Sequence, residues 1–541
     1  MYGALILSVA GIVSKILGAC FRIPLGNMIG ADGMGYYQGA YPIYILLLTV
    51  ATAGIPVAIS RMVAERLVYE DHFGARRVFK ISIIIMSVLG ILLFSAMFFS
   101  ASFITSQLSG LKDAIYAIRA IAPALLFVPV MATFRGYFQG MQNMKPTAMS
   151  QVIEQLCRVI CGLALAFVLI PQGNHYAAAG GTFGASAGAA LGLVFMLILF
   201  ISFVRKPENR KAAAESCLKF QGEKQSAGRI TGQIFAIAVP ITIGASIMPL
   251  LQNIDLAIVT NRLAASGAWT TEQIRGMYGQ LTAFAAPLIN MPFMVIQAIT
   301  VSMVPTVVSA FRKQDTEFLH LNIVLGLRTA LIVILPCVAG YMVLADPIMR
   351  LLYFNQQSDA VGAAPCLFIL SIGMAFLASS QVLTAVLQGV GRQVTPVVNL
   401  FVGAVVKTII TFTLTGMPAF NVKGAAIGTI SAYAVAAVLN LIAVKRTTKV
   451  SFDWKLILGR PLLAVLSMSI VVFCVNSLLA LFTGALISTG MSILVGGLVY
   501  VAMIFVTGSV TKNELISFPK GETLVKIYEK VLTKHRVDGK M

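Results

Sequence analysis

Fourteen apolar stretches, each long enough to cross a bilayer, leave this chain few ways to fold. They run over residues 3–26, 37–60, 79–104, 114–138, 147–170, 177–204, 232–262, 280–311, 322–345, 362–388, 394–416, 422–444, 456–482 and 486–509. A hydrocarbon core is spanned by roughly 20 residues of helix. Backbone groups at that depth must be satisfied inside the segment, so the stretches read as helices. Of the 541 residues, 58% are hydrophobic and 11% charged, against roughly 25% charged in soluble domains. The expected fold class is an all-α integral membrane protein with about fourteen transmembrane helices. Prolines inside the spans, such as Pro42, Pro129, Pro240 and Pro292, are tolerated where neighbours or water re-satisfy the backbone.

The formal net charge is +20. On a soluble protein that would point to nucleic acid. Here the basic residues sit in short loops after even-numbered spans, as with Arg61, Arg66, Arg76 and Arg77, or Lys445, Arg446 and Lys449. The odd loops hold little beyond Lys112, Arg275 and Arg350. This bias places both termini in the cytoplasm and argues against a nucleic-acid partner. The first run lacks a basic leader and continues past Lys15 to Arg22, so it is expected to be a retained helix. The tail over 513–534 could lie on the membrane surface as an amphipathic helix or remain a solvated basic segment.

The basic segment 205–231 divides two similar halves. Gly54-Ile55-Pro56-Val57-Ala58-Ile59-Ser60 resembles Met303-Val304-Pro305-Thr306-Val307-Val308-Ser309, 249 residues later. Phe138-Gln139-Gly140 matches Leu387-Gln388-Gly389 at the same offset. The expected organisation is a six-helix lobe over 1–204, the linker 205–231, a second six-helix lobe over 232–445, two further helices within 446–510 and a basic tail from 511 to 541. Two like-oriented halves put a transport path between them.

Motifs for chemistry are absent. No phosphate loop, HExxH, nucleophile elbow or paired-Asp motif occurs, so no enzyme and no ATP use is expected. Cys157 and Cys161 stand four apart without a further ligand nearby, which favours packing over metal. No metal and no cofactor are expected.

What remains is charge inside the spans. Lys15 and Arg22 stand seven residues apart, roughly 10 Å along a helix and on nearly the same side of it. Asp255 and Arg262 repeat that spacing on the seventh span. Arg158 and Lys407 differ by the repeat offset of 249. Arg119, Arg135 and Glu154 complete the set. Each has a structural reading too. Arg135 snorkels to the cytoplasmic side, Glu154 neutralises Arg158 four residues on, and Arg22, Arg119 and Arg262 lie at an interface. Lys15 and Lys407 are deep, with no acid in their own predicted spans, and a mid-membrane lysine costs about 2.5–3.5 kcal/mol. Cations around a polar cavity attract an anion, phosphate foremost, because they supply several donors to its oxygens.

SKILGACFRIPLGNMIGADGMG from Ser14 and AGIPVAISRMVAE from Ala53 resemble the stage V sporulation protein B branch of the polysaccharide-biosynthesis transporters, related to MurJ-type lipid II flippases in the MATE-like (MOP) exporter superfamily. The resemblance implies two helical bundles around a cationic cavity, in a bacterial cytoplasmic membrane. It implies translocation of an undecaprenyl-pyrophosphate-linked saccharide, a lipid II-like cell-wall precursor, by alternating access. Lys15 and Arg22 match the family's basic residues on the first helix, and Asp255 its helix-seven acid for a coupling cation. Asn399 matches part of a sodium site, although Gly403 stands where an acid would follow. The arginines of the MurJ type on helices two and eight are missing from LLLTVATAG and GQLTAFAAPLIN, which leaves Arg158 and Lys407 to supply cavity charge.

The substrate-binding candidates are therefore Lys15, Arg22, Arg119, Arg158, Arg262 and Lys407. The ion-coupling candidates are Asp255, Asn399 and Glu154, with Na+, H+ or the membrane potential as the driving force. The expected partners are the lipid-linked oligosaccharide and the bilayer, with the chain acting as a monomer. Two other functions compete. One is a multidrug exporter of the same fold, which would want acids rather than cations on helix one. The other is a non-transporting scaffold of an envelope-synthesis complex, for which the buried cations have no ligand.

Overall fold

The computed structural model describes residues 2–207 and 225–510. The centre of the basic linker and the tail, with the helix considered at 513–534, lie outside the described residues. Among these residues every regular element is helical. In order they are α1 (Tyr2–Thr52), α2 (Ile55–Val68), α3 (His72–Phe99), α4 (Ala114–Ile121), α5 (Ala124–Gly140), α6 (Lys145–Leu169) and α7 (Asn174–Arg205). Then come α8 (Ala227–Ala265), α9 (Thr271–Gly279), α10 (Ala286–Arg312), α11 (Thr316–Val343), α12 (Ala345–Leu352) and α13 (Gln357–Gly389). The last four are α14 (Val394–Thr415), α15 (Lys423–Thr448), α16 (Arg460–Leu479) and α17 (Ala485–Val506).

Thirteen stretches of the described residues are long and apolar enough to cross a membrane, one fewer than the sequence predicts. The difference lies in Val9–Val68, a single stretch of 60 residues. As one helix it would be about 90 Å long, three times the roughly 30 Å hydrocarbon core. Gly30, at φ 67° and ψ 179°, breaks it, a conformation open to a residue without Cβ. The half of α1 before the kink holds the first predicted span; the second, 37–60, takes in the half after it and continues past a bend at Ala53 and Gly54 into α2. The predicted loop between them is helix on both sides of a one-residue kink.

Packing divides the chain into two units, Met1–Ala283 and Phe284–Met541. The first unit takes in the seventh span, because α8 lies against α1 and α2. The backbone of Gly54 abuts the Ala238 carbonyl with no room for a side chain, and Asn253 Nδ2 donates to the Pro42 carbonyl at 2.9 Å. Phe79, Phe134, Tyr137 and Phe200 form an aromatic core, with Phe79–Phe200 centroids 4.6 Å apart.

In the second unit Phe284 stacks on Tyr353 at 3.7 Å and 5°. The last two helices are tied in by backbone carbonyls. Tyr500 Oη donates to Ile332 at 2.6 Å, Arg460 Nη1 to Gly508 at 3.0 Å, and the buried Arg328 to Ser509.

The duplication is written into the turns. Glu70 and Gln314, 244 residues apart, both take φ 56°. Each precedes an aspartate that caps the next helix, Asp71 accepting from Gly74 N at 2.7 Å and Asp315 from Phe318 N at 3.0 Å. Such side-chain caps satisfy backbone donors left open at a helix start. The helix pairs match too. A Cβ on Gly184 would meet the Arg158 carbonyl at 2.6 Å, and one on Gly428 the Lys407 carbonyl at 3.1 Å. Arg158 and Lys407 therefore occupy corresponding places, each opposite a glycine of the following helix.

Candidate functional site

Beyond the Gly30 kink, α1 carries Tyr37, Tyr41 and Tyr44. Spacings of four and three residues put them on one helix face. Tyr37 and Tyr41 stack at 5.4 Å and 22°, and Tyr41 and Tyr44 follow at 6.1 Å. Phe21, from before the kink, adds a fourth ring 6.1 Å from Tyr37.

Two cations converge on this stack. Arg22 places its Cζ 5.5 Å from the centroid of Tyr41. Arg158, from α6, places its Cζ 5.2 Å from the same ring and 5.7 Å from Phe21. Its Nη2 donates to Tyr37 Oη at 2.8 Å. Among the described residues neither arginine forms an ion pair with a carboxylate. Ring faces attract a guanidinium, by about 2 kcal/mol where it is desolvated, but they leave its positive charge in place. The arrangement holds two planar, multi-donor cations around one ring with their charge uncancelled, which suits an anion with several oxygens.

Glu154 does not neutralise Arg158. It pairs with Arg135, Oε2 to Nη2 at 2.9 Å, and Arg135 Nε donates to Ser150 Oγ at 2.9 Å. Arg135 is thus an internal tie between α5 and α6 rather than a snorkelling side chain, with a side chain only 14% exposed. Spacing on one helix made Glu154 and Arg158 neighbours, but each finds its partner on another segment.

The other candidates are spread over the fold. Lys15 is exposed on α1, two turns before Arg22. Arg119 is exposed on α4, with its Cζ 5.4 Å from the Phe98 ring. Asp255 and Arg262 are half-buried on α8. Lys407 and Asn399 belong to α14 in the second unit. Asn399 Nδ2 donates to Asn440 Oδ1 at 2.8 Å, and Asn440 Nδ2 to Ser380 Oγ at 3.2 Å and Thr384 Oγ1 at 3.1 Å. This neutral cluster ties α13, α14 and α15 together.

The tyrosine face escaped the sequence reading. Its signal was YYQGAYPIY from Tyr36, in which an aromatic stripe reads first as core. A second group was also missed. Asp32 pairs with Arg275, whose Cζ lies 4.1 Å from the Tyr36 ring. Tyr36 Oη donates to Asp113 Oδ2 at 3.2 Å, and Asn174 Nδ2 to Asp32 Oδ2 at 3.4 Å. These residues stand where the sequence places the connections after the first, third, fifth and seventh spans, so they gather at one end of the unit. Gly35 permits the contact, since a Cβ there would run into Arg275.

The family model described as polysaccharide biosynthesis protein matches residues 1–311, more than half of the chain. Stage V sporulation protein B of Bacillus subtilis (strain 168) is 28% identical over 453 residues, 84% of this chain and 85% of the relative. Lipid II flippase MurJ of the same organism is 29% identical over 475 residues, 85% of each chain. Among solved structures, a lipid II flippase MurJ in an inward closed conformation aligns with a TM-score of 0.66 at 17% identity, covering 95% of this chain and all of that one. An inward-facing multidrug resistance MATE family transporter of the MOP superfamily aligns with a TM-score of 0.67 at 14% identity, over 80% of this chain and 94% of that one. These likenesses establish a shared fold of the MATE and MurJ type.

Proposed function

This chain belongs to the polysaccharide biosynthesis protein family, and on that premise we propose that it is a flippase for undecaprenyl-pyrophosphate-linked saccharide. The observation that carries the reading is the pair Arg22 and Arg158 on Tyr41, with no carboxylate partner among the described residues. A pyrophosphate offers each guanidinium a phosphoryl group with two or more acceptor oxygens, the geometry in which arginine surpasses lysine. The arginines would replace the water that the charged head gives up on leaving the cytoplasmic interface. The polyprenyl tail would stay in lipid. Lys15, two turns nearer the chain start, serves as a first contact, and Lys407 as the corresponding cation of the second half. Arg119 and Arg262 are secondary contacts.

In this reading the protein is a monomer in the bacterial cytoplasmic membrane, with both termini in the cytoplasm, and it works by alternating access without enzymatic chemistry. The membrane potential moves one elementary charge with about 2.3 kcal/mol per 100 mV. A coupling ion, Na+ or H+, would act through Asp255. Glu154 and Asn399 couple less directly, since an ion there competes with Arg135 or Asn440. The drug-exporter reading fits poorly, because organic cations would be repelled by Arg22 and Arg158. Depleting the protein in a cell without a redundant flippase should trap precursor on the cytoplasmic leaflet. Undiminished exposure of the precursor on the outer leaflet would refute the proposal.

A further inference from the structure

The group around Asp32 and Arg275 continues into an aromatic surface. His175 lies 4.3 Å from Tyr176, 5.4 Å from Tyr116 and 6.2 Å from Tyr36, centroid to centroid. Tyr116 and Tyr176 close the triangle at 4.8 Å. Tyr116 is 39% exposed, and the side chains of Asp113 and Asn174 beside it are exposed as well. Interfacial tyrosines ordinarily form belts at the headgroup level. Here three rings, tilted 40–49° to one another, close on each other as a cluster edged by a carboxylate and an amide.

We propose that this cluster is a saccharide-docking surface. A pyranose has C–H faces that pack on the negative faces of aromatic rings, and adjacent hydroxyls that donate to a carboxylate or exchange bonds with an amide. Tyr116, His175 and Tyr176 offer the rings. Asp113 and Asn174 offer the polar edge. An anionic ligand is disfavoured by the exposed Asp113 carboxylate at the edge of the rings. A simple cation is disfavoured by Arg275, which already occupies Asp32 and one face of Tyr36. The surface therefore complements the arginine pair: one site takes the charged link and the other the uncharged sugar. The inference rests on the proposed function in one respect, that the positive-inside topology puts these odd loops outside, where a translocated sugar would emerge.

The test uses the full chain in nanodiscs and saturation-transfer NMR with two lipid-free sugars, chitobiose and maltose, and with choline as a cation probe. At least one sugar should show transfer to its ring protons. Tyr116→Ala and Asp113→Asn should each reduce that signal at least fivefold, Tyr116→Phe should retain it, and the melting temperature should hold. No transfer to either sugar, transfer indifferent to both substitutions, or transfer to choline alone would overturn the inference. Undecaprenyl pyrophosphate binding measured on the same sample separates the two claims. Lipid binding without sugar binding rejects this surface only, and sugar binding without lipid binding rejects the arginine site only.

Discussion

Arg22 and Arg158 share a single ring. Their Cζ atoms lie 5.5 and 5.2 Å from the centroid of Tyr41, one reaching it from before the kink of its own helix and the other from α6. Two cations so placed repel each other, and the ring offsets part of that cost. An anion would offset the rest, so ligand binding and the rigidity of this corner should be linked.

Tyr41→Leu should weaken undecaprenyl pyrophosphate binding about tenfold, because the two guanidinium groups lose the ring that positions them before the ligand arrives. Tyr41→Phe, which keeps the ring, should bind within about twofold of the natural protein. Equilibrium binding in nanodiscs measures both. Equal losses for Leu and Phe would mean that the hydroxyl, not the ring, holds the arginines.

The Arg135–Glu154 pair predicts a stability pattern. Arg135→Gln strands a half-buried carboxylate and should lower stability by about 3 kcal/mol. Arg135→Gln with Glu154→Gln removes both charges and should recover most of the loss. Thermal unfolding in detergent tests this. A double variant as unstable as the single one would show that packing between α5 and α6, not charge, is at stake.

Gly184 and Gly428 should respond alike if the duplication governs packing. Each faces the carbonyl of a repeat-related cation, Arg158 or Lys407. Replacing either with Leu should force the helix pair apart and cost about 1–3 kcal/mol, the usual penalty of overpacking. Melting temperatures of the two variants should fall together. A loss confined to one would show that the halves pack differently.

Asp32 and Arg275 join the loops that follow the first and seventh spans. Asp32→Asn should slow transport without abolishing lipid binding, because it lies apart from the arginine pair in chemistry and in its partners. Asp32→Arg combined with Arg275→Asp should restore part of the rate. Transport assays on the three proteins decide it, and a swap no better than the single variant would reject the ion pair as the relevant contact.

The sequence was most legible where one physical constraint dominated. Bilayer thickness made the spans readable, and the offset of 249 residues between Arg158 and Lys407 was enough to pair them. The kink at Gly30 was less visible, because a glycine in an apolar run reads equally as loop or helix. Contacts between helices were not legible at all. Glu154 turns to Arg135 instead of Arg158, and Arg158 to Tyr37, since spacing orders neighbours on one helix and says nothing of the helix alongside. For the same reason Lys15 and Arg22 were readable as a cationic face, whereas Tyr41 was not readable as the ring that Arg22 shares with Arg158.

The account stands most directly on translocation by Arg22→Gln, Arg158→Gln and Arg158→Lys proteins in proteoliposomes loaded with undecaprenyl-pyrophosphate-linked saccharide. Each lost charge-assisted contact is worth roughly 1.5–3 kcal/mol, so each glutamine variant should be slowed about tenfold or more. Lysine, which keeps the charge without the planar fork, should fall between. Flipping at the natural rate by the folded Arg22→Gln and Arg158→Gln proteins would contradict the account.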